Sequence, residues 1–440
     1  MKKIVENWGL YPKIEADWIE STATKTLNKN PIIARGLGRS YGDSASQIHI
    51  FSTLKLNKIL AFNPSNGLLT CQAGTSFDKI LKTFVPKGWF LPVTPGTKFI
   101  TVGGAIASDI HGKNHHVAGT FCRHVQNFTL LSFDGTIHVC SKSENPELFA
   151  LTCGGMGLSG IILQATFSLI KIPSAYIAQK SFKARNLSHI MDLFHEHHNF
   201  TNSVAWIDCL SSGKNMGRSI LMAGEFCEPN ELPIKKKSNP FITHKKPSLS
   251  VPFYFPSFAL NPLTVKAFNQ LYYHKQNKQE SHNIVHYETF FYPLDAIYHW
   301  NRIYGKNGFT QYQFVLPTEN ATEGLHDILS FVAKQKWGSF LSVLKLFGPE
   351  NENYLRFPKP GFTLTLDFKI TPKLFPFLNE LDARVAQYNG RVYLTKDVRM
   401  SPEFFLNSYP QAQAFIKKIN QINPNGFFSS LQSQRLAIHS

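Results

Sequence analysis

The sequence predicts an α+β protein of two domains, and three observations carry that reading. Its 440 residues exceed what one ordinary core accommodates, and 43% of them are hydrophobic, enough to bury a sizeable interior. Glycine-rich loops crowd the chain up to about residue 173 and then stop. Strand-like and helix-like periodicities follow one another irregularly, without a regular βαβ repeat.

Along the chain, Leu68–Ala73 reads as a strand, and Phe77, Ile80, Leu81 and Phe84 recur at helical spacing before Gly88. Asn127–Phe133, the pair Asp134-Gly135 and Thr136–Cys140 form a hairpin pattern. Asn145-Pro146-Glu147 opens a helix with a cap residue, a first-turn proline and an acid at the positive end. Ile161–Ile172 reads as a strong strand. Glu228–Pro262, rich in proline, lysine and serine, reads as a long, partly mobile loop. Strands are expected over His286–Phe291, Phe309–Leu316, Ser342–Phe347 and Phe362–Ile370, and a helix over Leu374–Tyr388. Arg391–Thr395 is a further strand, ending at Lys396-Asp397, and the last stretch is helical with Phe415, Ile416 and Ile419 on one face.

Composition excludes several classes. No apolar run is long enough to span a bilayer. The segment Met1–Asn7 begins basic but lacks the apolar core of a secretory signal, so a cytoplasmic place, or one on the inner face of the plasma membrane, is expected. Six cysteines form no C-x-x-C pair, which points to reduced thiols in the core. The net charge of +17 fits an anionic membrane or a phosphorylated substrate, with a local cluster at Lys235, Lys236, Lys237, Lys245 and Lys246. No nucleic-acid-binding pattern accompanies it, so no nucleic-acid partner is expected.

The chemistry lies in the loops. Ala34–Asp43 and Thr94–His116 concentrate glycine and polar residues, with little room for regular structure, and Gly154–Gly160 is a third such loop. Backbone N–H groups in turns of this kind make concave anion sites, because no Cβ blocks the ligand. Neither the dinucleotide fingerprint G-x-G-x-x-G nor a Walker loop is present. Each loop alone reads more readily as a plain turn; several in one half of the chain favour a dinucleotide. His111, His115 and His116 invite a metal, but no carboxylate or cysteine completes a ligand set, so none is expected.

Six segments together are recognisable: ARGLGRSYGDSA at 34–45, PGTKFITVGGAIASDIHGKNHHVAGTF at 95–121, GGMGLSGII at 154–162, YPLDAIYHWNRIYGKNGFTQYQFVLPTE at 292–319, FLSVLKLFGP at 340–349 and RVYLTKDVR at 391–399. Over most of its length the chain resembles the FAD-linked oxidases of the vanillyl-alcohol-oxidase class. The resemblance implies an FAD-binding domain over 1–173, an antiparallel-sheet substrate domain over 174–390, and a segment 391–440 returning to the first domain. It implies oxidation of the 2′-hydroxyl of a polyprenylphosphoryl pentose to a 2′-keto sugar, feeding arabinose-donor synthesis. The partners implied are a separate short-chain NAD(P)H reductase and a membrane surface. A soluble sugar or alditol oxidase using oxygen is the alternative within the same fold, and a flavin-binding scaffold without turnover is a third reading.

Residue by residue, the resemblance places the FAD pyrophosphate on Arg35, Gly36, Leu37, Gly38, Arg39, Ser40, Tyr41, Gly42 and Asp43. Further cofactor positions are Gly96, Thr101, Val102, Gly103, Gly104, Ser108, Asp109, Ile110, His111, Ile161 and Tyr393. Lys396 and His111 are the implied catalytic residues. Tyr41, Trp206, Tyr304, Gln311, Gln313, Lys345, Phe347, Thr363, Thr365 and Lys396 are the implied substrate positions. Read without the resemblance, Lys396 is rather the exposed end of a strand. Two departures matter. A cysteine that nitroaromatic inhibitors trap in similar proteins is Thr365 here, so thiol capture is not expected. Arg39 stands where many members of the class carry the histidine that tethers FAD, so the cofactor is expected to be noncovalent. Acid precipitation of the yellow protein should therefore leave all flavin colour in the supernatant; colour retained in the washed pellet would contradict this.

Overall fold

Residues 2–20, 30–243, 249–256 and 258–439 are described by the computed structural model of the chain. Three principal sheets organise it. The first orders its strands Lys2–Glu6, Lys13–Glu20, His49–Ser52 and Ile32–Arg35. The second is antiparallel, in the order Ile59–Asn63, Leu68–Gln72, Ile161–Ser168, Val125–Leu131, Ile137–Ser141. The third has eight antiparallel strands, in the order Glu280–His286, Tyr176–Ala184, Ser219–Phe226, Asn202–Ile207, Ser342–Phe347, Gly361–Lys369, Phe309–Pro317, Arg391–Val392.

Side-chain alternation sorts the faces of the large sheet. Tyr312, Phe314, Leu364 and Leu366 turn into the main core, where Ile190, Leu325, Ile328 and Leu381 of three covering helices meet them. Gln311, Gln313, Val343 and Thr365 occupy the opposite face, Gln313 directly across from Thr365 and Val343 across from the same threonine. One strand period thus separates a hydrophobic core from a polar wall.

Several local expectations meet the structure. Ser76 accepts from the N–H of Lys79 and starts the helix Phe77–Phe84, and Gly88 follows at φ 77°. The Asp134-Gly135 hairpin forms, with Gly135 at φ 86°. Five expectations need correction. Thr94–His116 is not devoid of regular structure: Thr101 caps a helix, Val102–Ala107, whose Val102, Ala105 and Ile106 are buried, and that burial outweighs the helix cost of Gly103 and Gly104. His286 ends a strand, and Tyr287–Phe291 is helical, because the His286 side chain caps the N–H of Glu288 while Tyr287, Phe290 and Phe291 pack inward. Asn145 precedes its helix at φ 50° and donates to the carbonyl of Val139 instead of capping. Only Arg391–Val392 pairs as a strand; Leu394–Lys396 is a single 3₁₀ turn. Glu228–Pro262 contains a short helix, Ile234–Lys237, and a strand, Leu249–Ser250, beside Ile297–Tyr298. Lys245 and Lys246 lie outside the described residues.

The end of the chain is sewn to its beginning. Ile32 donates to Phe427, Ser429 to Ile32 and Leu431 to Ser46, at 2.7, 3.1 and 2.8 Å. Arg435 bridges Asp43 and Asp397 at 2.8 and 2.9 Å. At this junction a Cβ on Gly42 would fall 1.6 Å from the carbonyl oxygen of Asp397. Gly42→Ala should therefore lower unfolding stability by about 2 kcal/mol and reduce the flavin carried through purification; an unchanged urea midpoint would refute the junction's tightness.

Candidate active site

A cavity of about 320 Å³ opens between the glycine loops and the polar wall of the large sheet. On one side stand Arg35 to Tyr41, Gly96, Thr101, Gly103, Gly104, Ser108, Ile110 and His111; on the other stand Gln311, Gln313, Val343, Lys345 and Thr365, with Tyr393 and Lys396 between them.

The loop Gly36–Ser40 is shaped for an anion. None of its backbone N–H groups donates within the described residues, and the buried Ser40 hydroxyl has no partner. Arg35 holds the loop from behind, donating to Asn7, to the carbonyl of Ala45 at 2.9 Å and to that of Glu6 at 2.7 Å. Gly38, at φ 63°, lets that guanidinium pass: a Cβ there would meet it at 2.2 Å. On the same side of the cavity Gly96 has open space where a Cβ would stand. Unpaired N–H groups, an unpartnered hydroxyl and bare glycine backbone suit a dinucleotide pyrophosphate. Arg39 is stacked 4.1 Å from the centroid of Trp8 and 5.4 Å from that of Phe99. Beside it, burial raises the Asp295 carboxyl to about 6.

Lys396 reaches the cavity from its 3₁₀ turn, its Nζ 4.0 Å from the ring centroid of Tyr41. Burial lowers its pKa to about 7; Asp367 opposes this shift and Lys345 adds to it. Burial also lowers Lys345 to about 8. Asp367, buried and pushed up to about 7, accepts from Gln311 at 2.6 Å and from Tyr304 at 3.2 Å. Its position opposite Gln311, two residues beyond Thr365 on the same face, was a readable signal of a site residue that the motif comparison passed over.

His111 is neutral, because burial and then the nearby Lys345, His115 and Lys396 charges hold its pKa well below the usual value. The Thr363 hydroxyl donates to Phe314 at 2.8 Å, so it must accept from the Gln313 amide at 3.2 Å. The same amide nitrogen is 2.9 Å from His111 Nε2, which therefore accepts, leaving the proton on Nδ1. That Nδ1 is buried without a partner.

Other expected positions stand outside the lining. Gly42 and Asp43 belong to the Arg435 junction, and Val102 and Ile161 are core residues. Asp109 accepts from the N–H of Cys122 and from Asn351 and Asn353, anchoring a turn. Trp206 donates to the carbonyl of Phe340, Tyr304 stacks 4.1 Å from Phe309, Phe347 lies 4.8 Å from His111, and Thr363 supports Gln313. These form the layer behind the wall. His115 accepts from the N–H of Gly348, and no group of three metal-ligating side chains exists among the described residues. All six cysteines are buried and free.

Residues 10–141 match the family of the FAD binding domain, and with the relatives below they establish that the chain belongs to the FAD-linked oxidases. It is an FAD-dependent oxidoreductase acting on a CH–OH group, with FAD as its cofactor. It is 38% identical to decaprenylphosphoryl-beta-D-ribose oxidase of Mycolicibacterium smegmatis over 413 residues, 92% of this chain and 89% of that protein. An uncharacterized protein of Streptomyces coelicolor is 29% identical over 82% of this chain and 99% of its own length. L-gulonolactone oxidase of Mus musculus is 28% identical over 32% of each chain.

If Gly96 faces the cofactor, Gly96→Val should leave the melting temperature of the flavin-stripped protein nearly unchanged while weakening FAD binding about tenfold or more. Unaltered FAD affinity in a titration would remove this glycine from the cofactor wall.

Proposed function

We propose that the chain oxidises the 2′-hydroxyl of a polyprenylphosphoryl pentose, ribose, to a 2′-keto sugar. A separate short-chain NAD(P)H reductase would complete the epimerisation, supplying arabinose donors for cell-wall synthesis. The enzyme would work at a membrane surface, peripherally, since no helix among the described residues is long and apolar enough to cross one. One observation carries this reading beyond the family: Lys396 and Lys345 share a single cavity with Gln311 and Gln313, so cations and amides face one substrate-sized space.

The roles follow from physical chemistry. FAD supplies the hydride acceptor when bound. Lys396 in its amine form takes the hydroxyl proton, and its lowered pKa makes that form available near neutrality. Gln311 is oriented by Asp367, and Gln313 by Thr363 and His111; both then present amide groups to sugar hydroxyls. Lys345 is a point charge for the substrate phosphate. Tyr41 packs against Lys396 and closes the flavin end of the cavity.

Anaerobic mixing with polyprenylphosphoryl ribose should bleach the flavin. Lys396→Ala should keep its FAD and bleach about a hundredfold or more slower. Bleaching at the wild-type rate would remove Lys396 from the mechanism. A free alditol that bleaches the wild type, followed by fast reoxidation in air, would favour a soluble oxidase instead.

The pH dependence has a definite sign. Lys396 is an ammonium below about pH 7 and an amine above it, so bleaching should accelerate as pH rises through about 7 and then level off. A pH-independent rate would argue against a base with this pKa.

A further inference from the structure

Between Glu231 and Glu280 the sequence contains no aspartate or glutamate, yet it contains eight lysines. The helix Pro262–Lys275 lies in this stretch and is held on one narrow side. Val265 and Asn269 are buried, Asn269 donates to Asp208 at 2.8 Å, and Tyr272 lies 4.7 Å from Trp206. Leu263, Ala267 and Leu271 recur every fourth residue and so share one side of the helix. All three are exposed, Leu263 at 79% and Leu271 at 74% of their full area. Phe258, just before the helix, is 77% exposed, and Leu249 and Phe253 are also exposed. A solvated helix normally presents polar residues outward; exposed leucines with flanking lysines and no acids are the pattern of a helix lying in a lipid interface.

The helix itself lies near the cavity. Phe268 lies 5.6 Å from Phe340, and Leu341, the next residue, lines the cavity. The strap 249–255 also runs close to the cavity, where Val251 donates to Tyr298 at 2.9 Å and Phe255 to Arg302 at 3.0 Å. Trp300, between those two acceptors, lines the cavity as well.

We infer that the helix Pro262–Lys275, with Phe258, seats the protein on an anionic bilayer, so that the cavity opens against the lipid surface. Leu263, Leu271 and Phe258 enter the acyl boundary, while Lys266 and Lys275 meet anionic headgroups. A lipid-borne substrate gives the surface its purpose, which rests on the function proposed above; adhesion itself is measured without substrate, so the two readings fail separately.

The test is co-sedimentation of the intact FAD-loaded protein with vesicles of phosphatidylglycerol and phosphatidylcholine, against phosphatidylcholine alone. The wild type should pellet with the anionic vesicles, and less so at high salt. Leu263→Asp/Leu271→Asp should reduce its partition about tenfold or more with flavin absorbance and melting temperature unchanged; Leu263→Ser/Leu271→Ser is the milder companion should the aspartates perturb folding. Lys266→Glu/Lys275→Glu should lose the preference for anionic lipid. A wild type that stays in the supernatant, or leucine variants that pellet as it does, would overturn the inference. So would light scattering that shows a dimer dissociated by the leucine substitutions, because a second copy would then cover this face.

Discussion

Arg435 stands between two carboxylates, 2.8 Å from Asp43 and 2.9 Å from Asp397. The first acid ends the glycine loop near the start of the chain; the second follows Lys396 near its end. Burial alone would push Asp397 up, yet Arg435 and then Arg399 hold it below the ordinary carboxylate value. Buried charges of this kind contribute little net stability, but removing one leaves the others uncompensated, so they enforce one arrangement over its neighbours. Here that arrangement sets Tyr41 against Lys396 and packs Gly42 on the backbone of Asp397. The glycine loop and the lysine are thus tied to each other.

The cavity beside them is electrostatically biased. Lys396 and Lys345 are drawn out of water, and Asp367, the acid that acts on Lys396, is itself raised by burial. Lys113 lies close enough to Lys345 to feel its charge, and burial lowers it to about 7. Desolvated cations keep a share of neutral amine near physiological pH and gain most from an entering anion. Proton abstraction and phosphate binding are therefore compatible in one space. Neutral His111 adds a donor without adding charge.

Much of this was readable in the chain. The glycine loops stood out because bare backbone is a local property, and they line one side of the cavity; Gln311 and Gln313, named by the resemblance, share the opposite wall because strand alternation sets them on one face. The motif comparison named Trp206, Tyr304, Phe347 and Thr363 alongside them, but these support the wall from behind, a distinction that one-dimensional spacing does not carry. Asp367 went unassigned because an acid in a hydrophobic strand gains meaning only from the Gln311, Tyr304 and Lys396 groups around it. The helix Val102–Ala107 was hidden by its glycines, whose poor propensity is overridden by burial of its three apolar residues.

The sequence by itself determined the α+β character, the placing of most strands and helices and the flavin-linked class, because alternation, turn residues and motif chemistry act over a few neighbouring positions. Only the tertiary structure decided that a lysine 355 positions beyond Tyr41 comes to rest on its ring, which of the motif residues touch the cavity, and which leucines of the Pro262–Lys275 helix remain uncovered. Those outcomes depend on desolvation and on contacts between distant segments, and neither exists until the chain has closed on itself.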